Sequence, residues 1–143
     1  MNIYPDTSFL VALYVPDANS AEAVRRMQEQ TGATFLLSDL AELELTNALQ
    51  QRLFRKELKT AEIQAAQRAF REDLEQGVWQ RQSAEAGVVY ERALRLAAKW
   101  TATLGTRTLD ILHVAIALEL GAVFFYTFDK RQARLARAER LKI

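Results

Sequence analysis

Short runs of β-prone residues alternate along the chain with longer stretches in which apolar positions recur at helical spacing. Strands are predicted at residues 2–6, 34–37, 78–79 and 123–127, with a last edge strand at residues 141–143. Helices are predicted to begin near residues 8, 19–20, 38, 60, 83, 109 and 129. This alternation is typical of an α/β fold with a mainly parallel sheet.

The predicted helix ends depend on a few capping residues. Ser38 and Thr60 are expected to cap their helices, and Ser83 to open a helix that runs to about residue 100. Gly121 is expected to end the helix that precedes the strand at residues 123–127. Only five glycines and two prolines interrupt the 143 residues, so we expect one domain, residues 1–143.

The composition removes several kinds of chemistry. The chain has no cysteine, which excludes disulfides, thiolate zinc sites and cysteine nucleophiles, and its single histidine disfavours a Ser-His-Asp triad. Carboxylates are the abundant metal ligands that remain, and they select hard cations such as Mg²⁺ or Mn²⁺.

The net charge is +1, so affinity for nucleic acid has to come from local basic patches. No apolar run approaches a membrane span and the start does not resemble a signal peptide, so a cytoplasmic location without membrane contact is expected.

Two aspartates follow predicted strands at the positions where ligands bind in parallel sheets. Asp6 comes at the carboxyl end of the first strand, and Asp129 comes just after the strand at residues 123–127. Ligands of open parallel sheets bind beyond the carboxyl ends of the strands. Either aspartate could instead only cap the helix that follows it.

Two further acids lie on apolar helices. Glu44 falls within the apolar stripe of its helix, whereas Glu42 is roughly 200° away around the helix axis, so Glu44 is the better site candidate. A glutamate at the helix edge that reaches water is the alternative. Asp110 occupies the first turn of the most apolar helix, where the helix dipole alone could account for it. A phosphoryl-transfer site needs several convergent carboxylates, and the spacing of these acids permits such convergence.

Four segments carry a resemblance to a known family. They are residues 6–10 (DTSFL), 44–49 (ELTNAL), 109–117 (LDILHVAIA) and 127–131 (TFDKR). Together and in this order they resemble the four motifs of the PIN-domain family, and more narrowly its VapC-like toxin ribonucleases of type II toxin–antitoxin systems. The resemblance implies a three-layer α/β/α domain around a central, mainly parallel sheet.

The resemblance also implies a site and its partners. The acids that would bind Mg²⁺ or Mn²⁺ and activate water against an RNA phosphodiester are Asp6, Glu44, Asp110 and Asp129. Thr7, Ser8 and Thr127 would support them by orienting carboxylates or water. The chain would act on RNA as an endoribonuclease, form a homodimer and bind a cognate antitoxin protein.

Two features depart from the family pattern. Pro5 stands where an aliphatic strand residue is expected, and it is predicted to end the strand pairing just before Asp6. Asp129 is followed by Lys130 and Arg131 rather than by another acid, which favours one metal ion over two.

Several basic and aromatic residues can have either a functional or a purely structural role. The basic residues after Asp129 are expected to follow the RNA backbone, although such a stripe could be a solvated face; they are Lys130, Arg131, Arg134 and Arg137. A second stripe, Arg92, Arg95 and Lys99, is expected to be a solvated face. His113 is expected to be a packed helix residue, and Trp79 and Trp100 to be core or dimer residues.

Two other functional classes stay open at this stage. The chain could be a catalytically silent PIN-like module that only binds RNA or protein, a class that Pro5 favours and the four acids disfavour. A different Mg²⁺-dependent α/β domain is less well supported. A haloacid-dehalogenase-type phosphatase would carry a second aspartate at position 8, which is Ser8, and a phospho-acceptor receiver would carry paired acids at the first strand.

Overall fold

A four-stranded parallel sheet forms the centre of the computed structural model, which describes all residues from Met1 to Ile143. The strands lie in the order β3-β2-β1-β4. Their bounds are Asn2–Pro5 (β1), Thr34–Leu37 (β2), Trp79–Arg81 (β3) and Ala122–Tyr126 (β4). All neighbouring strands pair in parallel, as the alternation of strands and helices predicted.

Seven helices connect and cover the strands. They are Thr7–Tyr14 (α1), Ser20–Glu29 (α2), Asp39–Phe54 (α3), Thr60–Glu75 (α4), Ala86–Leu104 (α5), Thr108–Glu119 (α6) and Lys130–Ala138 (α7). Ser38 caps α3 by accepting from the Ala41 N–H at 3.1 Å, as predicted.

The two faces of the sheet are covered by different helices because successive strand residues point to opposite sides. Tyr4, Leu36 and Phe125 pack against α5, α6 and α7. Their neighbours Leu37 and Tyr126 pack on the other face, where the helices are α1 to α4. The three-layer α/β/α architecture is therefore confirmed.

The expectation that Pro5 ends the strand pairing just before Asp6 is correct for the ladder with β2 and wrong for the ladder with β4. Pro5 is in register with Tyr126 of β4, and the Asp6 N–H continues this ladder by donating to the Tyr126 carbonyl at 2.9 Å. The pairing of β1 with β2 involves only Asn2 and Ile3. The ladder with β4 therefore continues through Pro5 to Asp6, whereas the ladder with β2 ends before Pro5, which has no N–H to donate.

Several predicted boundaries differ from the structure. Helix α5 begins at Ala86 after a cap at Glu85, not at Ser83, because the Glu85 carboxylate accepts from the first N–H groups of the helix. Thr60 is the first residue of α4 rather than its cap, which is Lys59. Residues 141–143 form only an isolated bridge, between Lys142 and Phe124, rather than a strand.

The two tryptophans have structural environments. Trp79 is 3 % exposed and donates from Nε1 to the Tyr14 hydroxyl at 2.6 Å. Trp100 is partly buried against the core and donates to Glu139 Oε1 at 2.6 Å. Both positions fit the core alternative rather than base stacking. None of the helices is long and apolar enough to cross a membrane.

Candidate active site

A cleft of about 500 Å³ opens beyond the carboxyl ends of β1 and β4. Its walls come from the starts of α1, α6 and α7 and from one face of α3. The four predicted acids all line it: Asp6, Glu44, Asp110 and Asp129. Residues far apart in sequence therefore share one cavity, because parallel strands deliver their carboxyl ends to the same edge.

Asp6 is the buried acid of the cleft, with 1 % exposure. One carboxylate oxygen accepts from Ser8 Oγ at 2.7 Å and from the Phe9 N–H at 3.0 Å, and the other accepts from Thr127 Oγ1 at 2.5 Å. Burial raises the pKa of Asp6, and these hydrogen bonds oppose that rise. Asp6 therefore caps α1 and also has a fixed orientation towards the cleft.

Thr127 and Ser8 connect Asp6 to the segment that carries Asp129. Thr127 Oγ1 donates to Asp6 and accepts from the Asp129 N–H at 2.9 Å. Ser8 Oγ accepts from the Phe128 N–H at 2.9 Å. These two hydroxyls fix the spacing between the end of β1 and the start of α7.

Glu44 is held by the third hydroxyl residue, Thr7, and by His113. Thr7 Oγ1 donates to Glu44 Oε2 at 2.6 Å, and the same oxygen is hydrogen-bonded to His113 Nε2. The partial burial of Glu44 would raise its pKa, but the hydrogen bonds from His113 and Thr7 hold the pKa below the usual glutamate value. Glu42, on the other side of α3, is instead paired with Arg81 at 2.6 Å, so the choice between the two glutamates agrees with their placement.

His113 is buried, as expected, but its environment is polar on both sides. Its side chain is 3 % exposed, and its Nδ1 lies 2.8 Å from the Tyr4 hydroxyl, which in turn lies 2.8 Å from Ser38 Oγ. Burial raises the pKa of Tyr4, so the phenol keeps its proton. No local pattern in the sequence links Tyr4 and Ser38 to residue 113, so their part in this network was not predicted.

Asp110 and Asp129 are the more exposed acids, and each also completes a helix start. Asp110 Oδ2 accepts from the Arg107 N–H at 3.0 Å, and Asp129 Oδ1 accepts from the N–H groups of Arg131 and Gln132 at 2.8 and 3.0 Å. The second oxygen of each carboxylate has no protein partner and can accept from a ligand. Capping and a position in the cleft are thus combined in the same side chains.

The chemistry of these donors fits a hydrated hard cation. Asp6, Glu44, Asp110 and Asp129 line one cleft, but no three of its acidic or histidine side chains are already grouped closely enough to hold an ion. Mg²⁺ keeps several of its waters and binds through one or two protein carboxylates.

A second cavity of about 510 Å³ adjoins the first, and both are lined by Phe128 and Asp129. Three of the four predicted RNA-backbone residues line it, namely Lys130, Arg134 and Arg137, whereas Arg131 does not. Arg26 joins them from α2, with its guanidinium 5.3 Å from the centre of the Phe128 ring. The contribution of α2 was not expected from the sequence.

Comparison with known proteins agrees with this architecture. The family model described as PIN domain matches residues 3–138. The fold is similar to that of VapC20 from Mycobacterium tuberculosis, a toxin that cleaves the sarcin-ricin loop, with a TM-score of 0.70. That likeness has 20 % sequence identity and covers 92 % of this chain and 93 % of VapC20. No curated protein matches the sequence. With a family match over nearly its whole length and the four acids at the edge of the sheet, the chain belongs to the PIN-domain family.

Proposed function

We propose that this single-domain chain is a divalent-metal-dependent endoribonuclease and the toxin of a toxin–antitoxin pair that acts in the cytoplasm. One observation carries the proposal: in a member of the PIN-domain family, four acids from four distant segments line one cleft. Each acid except Asp6 has an oxygen without a protein hydrogen bond, so the cleft is built to accept positive charge or water.

The four acids have two proposed roles in the site. Asp6 and Asp110 are proposed to bind Mg²⁺ or Mn²⁺, and Glu44 and Asp129 would accept hydrogen bonds from the waters of the ion. Such an ion lowers the pKa of a bound water and neutralises charge on the scissile phosphate. Thr7, Ser8 and Thr127 act as positioning residues, because each donates to one of these carboxylates.

RNA is proposed to reach the acids along α7. The second cavity places Lys130, Arg134 and Arg137 beside Asp129, and Arg131 lies at the same helix start. Contacts of this kind bind phosphates without reading the sequence. Because the net charge of the chain is only +1, its attraction for RNA has to come from such local basic patches.

The partner surface is proposed to lie on α5 and α6. Two apolar cavities meet at Tyr90 and Leu112, and the side chains Tyr90 and Leu94 are 61 % and 72 % exposed. Exposed apolar surface of this extent is typical of an interaction site, and a second copy of the chain is the proposed occupant. An antitoxin protein is proposed to bind the active-site cleft itself.

The chemistry is tested with purified protein, RNA and either Mg²⁺ or Mn²⁺. We expect cleavage that is abolished by chelation and reduced at least about 100-fold in Asp6→Asn, Asp110→Asn and Glu44→Gln. Glu42→Gln is the matched control, since this residue lies on the same helix but is paired with Arg81. Equal loss of activity in Glu42→Gln and Glu44→Gln would contradict the assignment of the site.

A catalytically silent PIN-like module that only binds RNA or protein is the alternative. Calorimetric titration with Mn²⁺ separates the two functions. One saturable site that disappears in Asp110→Asn supports the nuclease, and no saturable site supports the silent module.

The biological role is tested by induced expression. Wild-type protein is expected to arrest growth and to create discrete new ends in cellular RNA, whereas Asp110→Asn does neither. Mapping these ends also identifies the target RNA. Cleavage in vitro without growth arrest would retain the nuclease and remove the toxin assignment.

A further inference from the structure

Helix α3 presents a second basic surface at the other end of the acidic cleft. Glu44, Ala48, Arg52 and Arg55 all line this cavity. They are spaced by four, four and three residues, which puts them on one face of a helix. The small side chain of Ala48 leaves the path between the glutamate and the arginines open.

Arg52 is not neutralised by the acids that share its cavity. It forms no ion pair within 4.0 Å, although five carboxylates line the same walls. Arg55 is paired only with Glu57, at 3.1 Å and in an exposed position where such pairs are weak. Both guanidinium groups are therefore available to a phosphate, for which their planar donor geometry is suited.

The distance along the helix separates this contact from the reacting centre. Eight residues of helix span about 12 Å between the Cα atoms of Glu44 and Arg52. This spacing allows Arg52 to bind a different phosphate from the one at the carboxylates. Arg52 and Arg55 line only the first cavity. The second cavity, which joins the first at Phe128 and Asp129, is the only one lined by Lys130, Arg134 and Arg137.

Building on the proposed ribonuclease function, we propose that Arg52, assisted by Arg55, binds an RNA phosphate on one side of the cleavage position while the α7 residues bind phosphates on the other side. The strand then runs from the end of α3, across the four acids, and along α7. A mononucleotide or dinucleotide cannot span both contacts, so the substrate is an RNA segment with nucleotides on both sides of the cut.

The first test measures RNA binding at several salt concentrations, in the Asp110→Asn background to prevent cleavage. Arg52→Gln is expected to weaken binding roughly three- to tenfold and to reduce the slope of log Kd against log salt by about 1. Arg52→Lys keeps the charge and should retain the slope. Arg68→Gln is the matched control, since Arg68 is exposed on α4 and lines neither cavity. The same binding and slope in Arg52→Gln and Arg68→Gln would overturn the proposal.

The second test uses wild-type catalysis and the mapped cleavage position. In the otherwise wild-type protein, Arg52→Gln should raise KM and leave kcat within about twofold, because its contact is remote from the reacting phosphate. Substrates are then shortened from the 5′ or from the 3′ side. The defects of Arg52→Gln and Arg134→Gln should disappear with shortening from opposite sides, and any other pattern overturns the strand path. Absence of wild-type cleavage would instead reject the proposed function itself.

Discussion

The imidazole of His113 and the carboxylate of Glu44 are hydrogen-bonded across the cleft, joining α6 to α3. An ionised carboxylate only accepts, so the hydrogen lies on Nε2, and in the neutral ring Nδ1 accepts from the Tyr4 hydroxyl. Ser38 then donates to Tyr4, which completes a chain of hydrogen bonds from the end of β2 to the acid. The position of Glu44 therefore depends on the buried side chains of His113, Tyr4 and Ser38.

Replacing His113 tests this dependence. His113→Leu should lower the free energy of unfolding by about 1–3 kcal/mol, because the buried Tyr4 hydroxyl and the Glu44 carboxylate each lose a partner. The kcat for RNA cleavage should also fall, because Glu44 loses its fixed orientation. Chemical denaturation and steady-state kinetics measure the two effects.

Tyr4→Phe and the double variant complete a thermodynamic cycle with His113→Leu. Contacting residues in one network are expected to show a coupling energy of roughly 0.5–3 kcal/mol. Additive losses would mean that the two side chains do not interact in solution.

Thr127→Val is expected to damage both the fold and the site. Valine keeps the shape of threonine but removes the donor to Asp6 and the acceptor of the Asp129 N–H. We expect a loss of about 1–3 kcal/mol in unfolding free energy and a fall in activity of at least tenfold. Thermal unfolding and RNA cleavage measure these changes. Thr46→Val, which removes only a bond to the Glu42 carbonyl on the exposed face of α3, should be within about 0.5 kcal/mol of wild type.

Charge reversal at Arg134 tests the proposed role of α7. Arg134→Glu should weaken RNA binding and flatten its salt dependence, since fewer counterions are released on binding. Binding titrations between low and physiological salt give the slope. Arg68→Glu makes the same change of charge away from the cavities, and an unchanged slope at Arg134 would remove α7 from the RNA interface.

Leu94→Glu tests the proposed dimer surface. A charge in an apolar interface is costly to bury, so the variant should be monomeric at concentrations where wild type is dimeric. Sedimentation or light scattering reports the mass. Phe54→Glu is a matched control, because Phe54 is 86 % exposed but lies outside the two apolar cavities of α5 and α6. A wild-type protein that stays monomeric would contradict the homodimer.

Gln132 offers a stability prediction in the wall of the cleft. Its side chain is buried, and Nε2 has no hydrogen-bond partner. Gln132→Met keeps the length and removes the unsatisfied donor, so the free energy of unfolding should rise by about 1 kcal/mol. Gln28→Met, on an exposed helix position, should change it by less than about 0.5 kcal/mol. Destabilisation in the Gln132 variant would show that the amide has a partner.

Local signals in the sequence were sufficient for much of the fold. Strand β2 and helix α3 occur at the predicted residues, because the Ser38 cap and the apolar spacing of the helix act within a few residues. The end of β1 was predicted only in part, because it depends on residues that are distant in the sequence. Whether Pro5 disturbs pairing depends on the registers of β2 and β4, and those registers are set by segments far along the chain.

The site was predictable only in part. Strand ends and helix starts indicated that Asp6, Asp110 and Asp129 could meet, because topology brings such ends together. The network of His113 with Tyr4 joins residues 109 positions apart, and no periodicity encodes it. The separation between the carboxylates is likewise a tertiary quantity, so ligation of one ion by all four acids stays a prediction.

Strand β4, at the edge of the sheet, is needed both for the pairing of β1 and for a complete candidate site. Strand β1 has its longer ladder with β4, and the segment just after β4 supplies both Thr127 and Asp129. A chain cut short before residue 122 would lack two of the hydroxyl and acid groups and would leave β1 half unpaired. Cleavage by a protease before this point, or an early stop codon, would therefore yield a fragment without a complete candidate site.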